Sequence, residues 1–151
     1  MRALIQRVSR AQVSTAEGVA GRISRGLVVF IGIEEVDSSE DLDWLERKLL
    51  QLRLFEDEQG RMNRSLEDLE GEILLVSQFT LHANAKKGNR PSYNRAARPE
   101  VSRPLFDQLA TRLRQRIGDR LQTGVFGAMM QVALTNDGPV TIWLDSQQRG
   151  Y

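Results

Sequence analysis

A chain of 151 residues with a formal net charge of +1, no cysteine and one histidine has the length of a single domain, read here as spanning residues 1–151. The missing cysteines exclude disulfides, a thiol nucleophile and cysteine-based zinc sites, and the lone His82 excludes a histidine-pair metal site. A Ser-His-Asp triad would have to use His82, and no Gly-x-Ser-x-Gly elbow accompanies it, so neither a strong general base nor a metal or cofactor is expected.

Ala3–Val8 and Ala11–Val13 read as an opening strand, and Gly18 and Gly21 suggest a hairpin into Arg22-Ile23. Gly26 precedes the apolar run Leu27–Ile33, which reads as a buried strand and is too short to span a bilayer. The N-terminus lacks a signal-peptide core, so a soluble, cytoplasmic protein is expected, with no membrane partner. Asp37 with Glu40 three residues later suggests a helix start, and Leu42, Leu45, Leu49 and Leu52 place one apolar face on a helix running to about Leu54. Ile73–Leu81 reads as a second buried strand. A loop of about twenty residues follows, His82 to Val101, rich in Asn, Arg, Lys, Gly and Pro. Pro104 suits the first turn of a second helix with an apolar stripe of Phe106, Leu109, Leu113 and Ile117. Met129–Leu134 and Val140–Leu144 read as two closing strands on either side of Gly138-Pro139. The order of strands, helix, strand, helix, strands predicts one α/β domain, with a mixed, barrel-like sheet and two packed helices.

Charge is uneven along the chain. Residues Glu34 to Glu72 hold fourteen acidic and five basic residues, whereas Ala85 to Arg120 hold ten basic and three acidic. The second stretch suits an anionic partner such as RNA; two ordinary solvated faces give the same counts. Lys86-Lys87-Gly88-Asn89-Arg90-Pro91-Ser92-Tyr93 is either a phosphate-contacting loop or a solvated one. His82 is expected at the surface. No glycine spacing matches a phosphate-binding loop.

Two short segments combine polar groups with unusual backbone. Ser77-Gln78-Phe79-Thr80-Leu81 places three polar side chains and an aromatic at the end of an apolar strand, as the mouth of a pocket or a strand emerging into solvent. Gly138-Pro139-Val140-Thr141 is either a tight turn or a fixed backbone surface, since proline donates no N–H and holds its own φ.

In order and spacing, these two segments resemble the signature motifs of the D-aminoacyl-tRNA deacylases. The likeness extends over essentially the whole chain, through Gln6-Arg7-Val8, Gly88-Asn89-Arg90-Pro91-Ser92 and Thr123-Gly124-Val125-Phe126-Gly127. Tyr93 departs from it, standing where the family has Phe. The resemblance implies hydrolysis of the ester between a D-amino acid, or glycine, and the terminal adenosine of tRNA. It also implies a homodimer with active sites at the subunit interface and a cis Gly138-Pro139 bond. That pair would be a gate inserted from one subunit into the pocket of the other. Ser77, Gln78, Phe79 and Thr80 would line the pocket, Phe126 and Met130 would lie near the adenosine, and Arg7 would brace the Gly-Pro loop. Thr80 as a nucleophile is the second mechanistic reading, and it lacks an evident base. The rival reading from another class is a non-catalytic RNA-binding module using the basic stretch and Phe79.

Overall fold

The computed structural model describes residues 1–150. In chain order its elements are β1 (Arg2–Thr15), β2 (Gly18–Ile23), β3 (Gly26–Gly32), α1 (Ser39–Gln51), β4 (Phe55–Glu56), β5 (Met62–Arg64), β6 (Glu72–Ser77), α2 (Pro99–Ile117), β7 (Leu121–Thr123) and β8 (Gln131–Asp145). One mixed sheet runs β2-β1-β3-β6-β7, with β8 added on β1; β4 and β5 form a separate short ribbon. β1 is long enough to take β3 with its first half and β2 with its second, both antiparallel, while β8 runs along nearly its full length. The β3–β6 and β6–β7 pairs are parallel. Gly21 of β2 comes so close to β7 that a Cβ there would stand 3.0 Å from the Thr123 carbonyl oxygen, and the sheet is nearly closed. The fold is the expected α/β domain with a mixed sheet and two helices.

The central strands β3 and β6 are buried on both faces, which is why they read as continuous apolar runs rather than alternating ones. Leu27, Val29, Ile31, Ile73 and Leu75 pack with α1 and α2. Val28, Leu74 and Val76 turn the other way, into a smaller core with Val8, Ala11, Val13 and Ile23 from the curled end of the sheet. α1 presents Leu42, Leu45 and Leu49 inward, and α2 presents Phe106, Leu109, Leu113 and Ile117, the stripes expected from helical periodicity.

Several boundaries differ from expectation. α1 is capped by Ser38, whose N–H donates to Asp41 Oδ2 at 2.8 Å. Asp37 is occupied elsewhere, bonding the Glu34 N–H and the N-terminal ammonium. α2 starts at Pro99, so Pro104 lies inside the helix rather than in its first turn. β6 ends at Ser77, where it runs out of β3 to pair with, and the chain tightens into a 3-10 turn at Phe79–His82. The two closing strands are one strand, β8, with Gly138-Pro139 inside it. His82 is buried. Among the described residues no helix is long and apolar enough to cross a membrane.

Among the described strands β8 is hydrogen-bonded only to β1, and its residues alternate between exposed and half-buried on both sides of a break at Asp137–Pro139. Trp143 is 39% exposed on it, and Met129, just before it, is 91% exposed. A long edge strand with exposed apolar groups is a surface that ordinary monomers avoid.

Candidate active site

The Gln78 N–H donates to the Ile31 carbonyl at 2.7 Å, the last ladder bond between the two central strands. The chain then turns, with Leu81 N–H bonded to the Gln78 carbonyl and Ala83 N–H to that of Thr80. The N–H groups of Phe79 and Thr80 open this turn and have no backbone partner among the described residues, as the first donors of a helical turn do. Beside the turn lies a cavity of about 630 Å³. Ser77, Gln78, Phe79 and Thr80 form one wall; Phe126, Met130 and their neighbours up to β8 form another. The start of α2 and the returning loop, through Pro99, Ala97, Ala96 and Tyr93, close the remaining side. The lining is largely apolar with a few convergent polar groups, the usual constitution of a small-ligand site.

Gln78 Nε2 donates to Thr80 Oγ1 at 2.6 Å, so the threonine hydroxyl keeps its own proton available to donate. No hydrogen bond joins Thr80 to a histidine or carboxylate among the described residues. Phe79 is 55% exposed and meets Tyr93 edge-to-face, with ring centroids 5.1 Å apart, at the cavity mouth. Phe126 packs against Phe106 at 5.8 Å and lies beneath the Arg103 guanidinium. Among the described residues no group of three or more His, Asp or Glu is placed to hold a metal ion.

Gly138 and Pro139 are not among the residues lining this cavity. They are exposed on β8, and the peptide bond between them is cis. Asn136 pairs with Val8 and Thr141 with Gln6, so Asp137–Val140 stand opposite the single residue Arg7 as a wide bulge. Asn136 clamps its base, the side-chain Nδ2 donating to the Arg7 carbonyl at 2.9 Å and the Val140 carbonyl at 3.0 Å. Its Oδ1 accepts from Gln6 Nε2 at 3.1 Å. Gly138 has φ of +118°, and a Cβ there would stand 2.7 Å from the Val140 side chain. Only glycine fits.

Arg7 lies behind the bulge and is 5% exposed. Its Nη1 donates to the Leu54 carbonyl at 2.7 Å. Its Nε lies 3.0 Å from Asp137 Oδ2, an ion pair without the alignment of a hydrogen bond. The structure thus gathers Ser77–Thr80, Phe126 and Met130 around one cavity, and joins Arg7 to Gly138-Pro139 at a separate place. The sequence alone marks neither the Tyr93–Pro99 wall as part of the pocket nor Asn136 as a clamp. The aromatic in an otherwise polar loop was the one signal for the first; the second depends on strand pairing and had none.

The charged stretches meet in space. Arg112 pairs with Asp43 and, at 3.7 Å, Glu46; Arg116 pairs with Glu67 at 2.7 Å and Glu46 at 3.7 Å. Arg98 reaches Glu35 and Arg95 reaches Glu34. Much of the basic stretch is therefore neutralised by the acidic one, leaving Lys86, Lys87, Arg90, Arg114 and Arg120 without a carboxylate partner among the described residues.

A family model described as D-Tyr-tRNA(Tyr) deacylase matches residues 4–145. The chain belongs to this deacylase family. D-aminoacyl-tRNA deacylases of Chromobacterium violaceum and Dechloromonas aromatica are 59% and 55% identical to it, each over 97% of this chain and 98% of theirs. The solved structure of a protein named c-Myc DNA Unwinding Element Binding Protein superposes with a TM-score of 0.91 at 41% identity, covering 96% of this chain and 98% of that one. A probable eukaryotic D-amino acid tRNA deacylase shares the fold, with a TM-score of 0.81 at 20% identity over 95% of this chain and 97% of that one. The deacylases are hydrolases, and this chain is an enzyme of their kind.

Proposed function

We propose that the chain hydrolyses the ester of D-aminoacyl-tRNA and of glycine mischarged on tRNA, as a homodimer that proofreads chirality in translation. In this reading Gly138 and Pro139 of one subunit enter the cavity of the other. The observation that carries it is the bulge itself: a clamped, exposed backbone shape on an edge strand, outside the wall of its own chain's cavity. β8, with its unpaired edge and exposed Trp143, is the surface through which a second copy brings the bulge to the cavity.

The energetics favour a backbone gate over side-chain recognition. Rejecting the L-isomer a thousandfold takes about 4 kcal/mol, at roughly 1.36 kcal/mol per tenfold. A methylene contact supplies only about 1–3 kcal/mol. Main-chain carbonyls at Gly138 and Pro139 can hold the α-amino group and leave no room for an L side chain. D side chains of any size, and glycine, escape that collision.

Catalysis then rests on position rather than on a strong base. The free N–H groups of Phe79 and Thr80 are suited to an oxyanion developing at the ester carbonyl. Ser77, Gln78 and Thr80 orient the ester, Phe126 and Met130 take the adenosine, and the neighbouring ribose 2′-hydroxyl assists the attacking water. Lys86, Lys87 and Arg90 meet the phosphates of the acceptor stem. Incubation with D-Tyr-tRNA and L-Tyr-tRNA tests the reading: release of D-tyrosine alone is expected, and release of neither, with binding intact, assigns the chain to RNA binding without catalysis.

A further inference from the structure

His82 closes the same turn that carries Phe79 and Thr80, yet it does not line the cavity. Its side chain is wholly covered, and neither ring nitrogen makes an aligned hydrogen bond. Buried polar groups without such partners are uncommon and call for a reason. The ring is wedged at the end of β3: a Cβ on Gly32 would stand 2.9 Å from its Nε2, and its Nδ1 lies 2.9 Å from Glu34 Oε1.

Glu34 in turn faces the loop that forms the opposite side of the cavity. Arg95 Nη2 lies 3.0 Å from its Oε1 and 3.2 Å from its Oε2. The backbone repeats the link, since Glu34 bridges to Ala96 and the Ala97 N–H donates to the Ile33 carbonyl at 2.8 Å. One carboxylate thus touches the reactive turn on one side and the Tyr93–Ala97 wall on the other. We infer that His82, Glu34 and Arg95 are positioning residues, a polar strut that sets the gap between the Ser77–Thr80 turn and the Tyr93–Ala97 wall. The inference rests on the reading that this cavity receives the aminoacyl end of tRNA.

Two observations favour a positioning role over simple core filling. An imidazole and a carboxylate buried together cost stability that an apolar pair of the same volume would not. The strut also joins the two segments that carry Phe79 and Tyr93, whose edge-to-face contact spans the mouth. The charged groups facing the ring are Glu34, the Arg2 guanidinium, which donates to the Leu81 carbonyl at 3.0 Å, and the N-terminal ammonium beside Asp37. Burial is the largest influence on the imidazole and holds its pKa below the ordinary value, which keeps the ring neutral at pH 7.

The test compares wild type, Arg95→Ala, Arg95→Lys and Glu34→Gln by hydrolysis of D-Tyr-tRNA and by the NMR signals of the Tyr93 ring. Arg95 is more than half exposed, so its substitution leaves the fold intact. Expected are a roughly tenfold loss of kcat/KM in Arg95→Ala and in Glu34→Gln, recovery to within threefold in Arg95→Lys, and displaced Tyr93 resonances in the two damaging variants. Glu34→Gln combined with Arg95→Ala is expected to be no worse than Glu34→Gln alone, because both break one strut. Unmoved Tyr93 resonances with kcat/KM within twofold in both single variants overturn the inference. A wild type that releases no D-tyrosine refutes the proposed activity instead, and the strut is then decided by the Tyr93 signals alone.

Discussion

Replacing Arg7 with alanine separates the support of the Gly-Pro bulge from the bulge itself. The substitution removes a buried bond to the Leu54 carbonyl at 2.7 Å, leaving that carbonyl unpartnered. A hydrogen bond from a charged donor is worth about 1.5–3 kcal/mol. The Asp137 pair adds less than about 1 kcal/mol, because that carboxylate is 46% exposed and screened by solvent. The loss therefore comes to about 2–4 kcal/mol, on the order of a 10 °C fall in Tm for a chain of this length. If half of it holds the bulge in place, the ratio of D- to L-Tyr-tRNA hydrolysis falls about tenfold, at roughly 1.36 kcal/mol per decade. The assay is a melting curve together with initial rates on both stereoisomers. Asp137→Asn, which keeps the Leu54 bond, is the control and should hold Tm within about 2 °C on the same energy scale. An Arg7→Ala protein that melts lower but keeps its stereochemical ratio would show that Arg7 supports the fold without placing the gate.

Other outcomes follow from the same geometry. Thr80→Ala should keep hydrolysis of D-Tyr-tRNA within about tenfold of wild type, since a positioning hydroxyl is worth a hydrogen bond or so; total loss with normal binding would make Thr80 a nucleophile. Binding to tRNA should weaken with salt, and Lys86→Ala, Lys87→Ala and Arg90→Ala together should lower the slope of log K against log salt by about 2–3, at roughly 0.7–0.9 per phosphate; an unchanged slope would remove these residues from the interface. His82 has a pKa lowered by burial from 6.5, so the unfolded chain takes up its proton first as pH falls. Its contribution to stability is present above about pH 6.5 and is lost as pH drops through that value toward the folded one. Thermal melts at pH 7.5 and 5.5 should therefore differ, with the difference reduced in His82→Asn; an undiminished difference would assign it to other groups.

What was legible in the sequence was whatever depends on near neighbours. Leu42, Leu45 and Leu49 fall on one side of any helix, and Leu27–Ile31 needs burial on both faces wherever it sits. What was not legible depends on residues brought together from afar. Gly138-Pro139 reads as a break because a local view cannot know that Arg7 faces four residues of β8. Ile73–Leu81 reads as one strand because nothing in it marks where β3 stops. The charge asymmetry suggests a long basic face, and only the packing of α2 against α1 and the turn at Glu67 shows Arg112 and Arg116 already committed to Asp43, Glu46 and Glu67. The pocket-lining motif was visible because its residues are contiguous; the wall from Tyr93 to Pro99 was not, because the loop returns to it through Glu34 and Ile33.

The bulge also has a modular character. Its flanks, Asn136 and Thr141, are already paired across β1 with Val8 and Gln6, and the half-buried face of β8 keeps the same parity before and after it. Two residues fewer would keep that inward face and leave two residues opposite Arg7, whereas three fewer would turn one flank of β8 over. Deleting Gly138 and Pro139 spares Val140, which packs on the core, so on the proposed reading fold and stereochemical selection can be tested apart. The shortened variant is expected to fold with its cavity intact and, on the proposed reading, to hydrolyse D- and L-Tyr-tRNA without distinction.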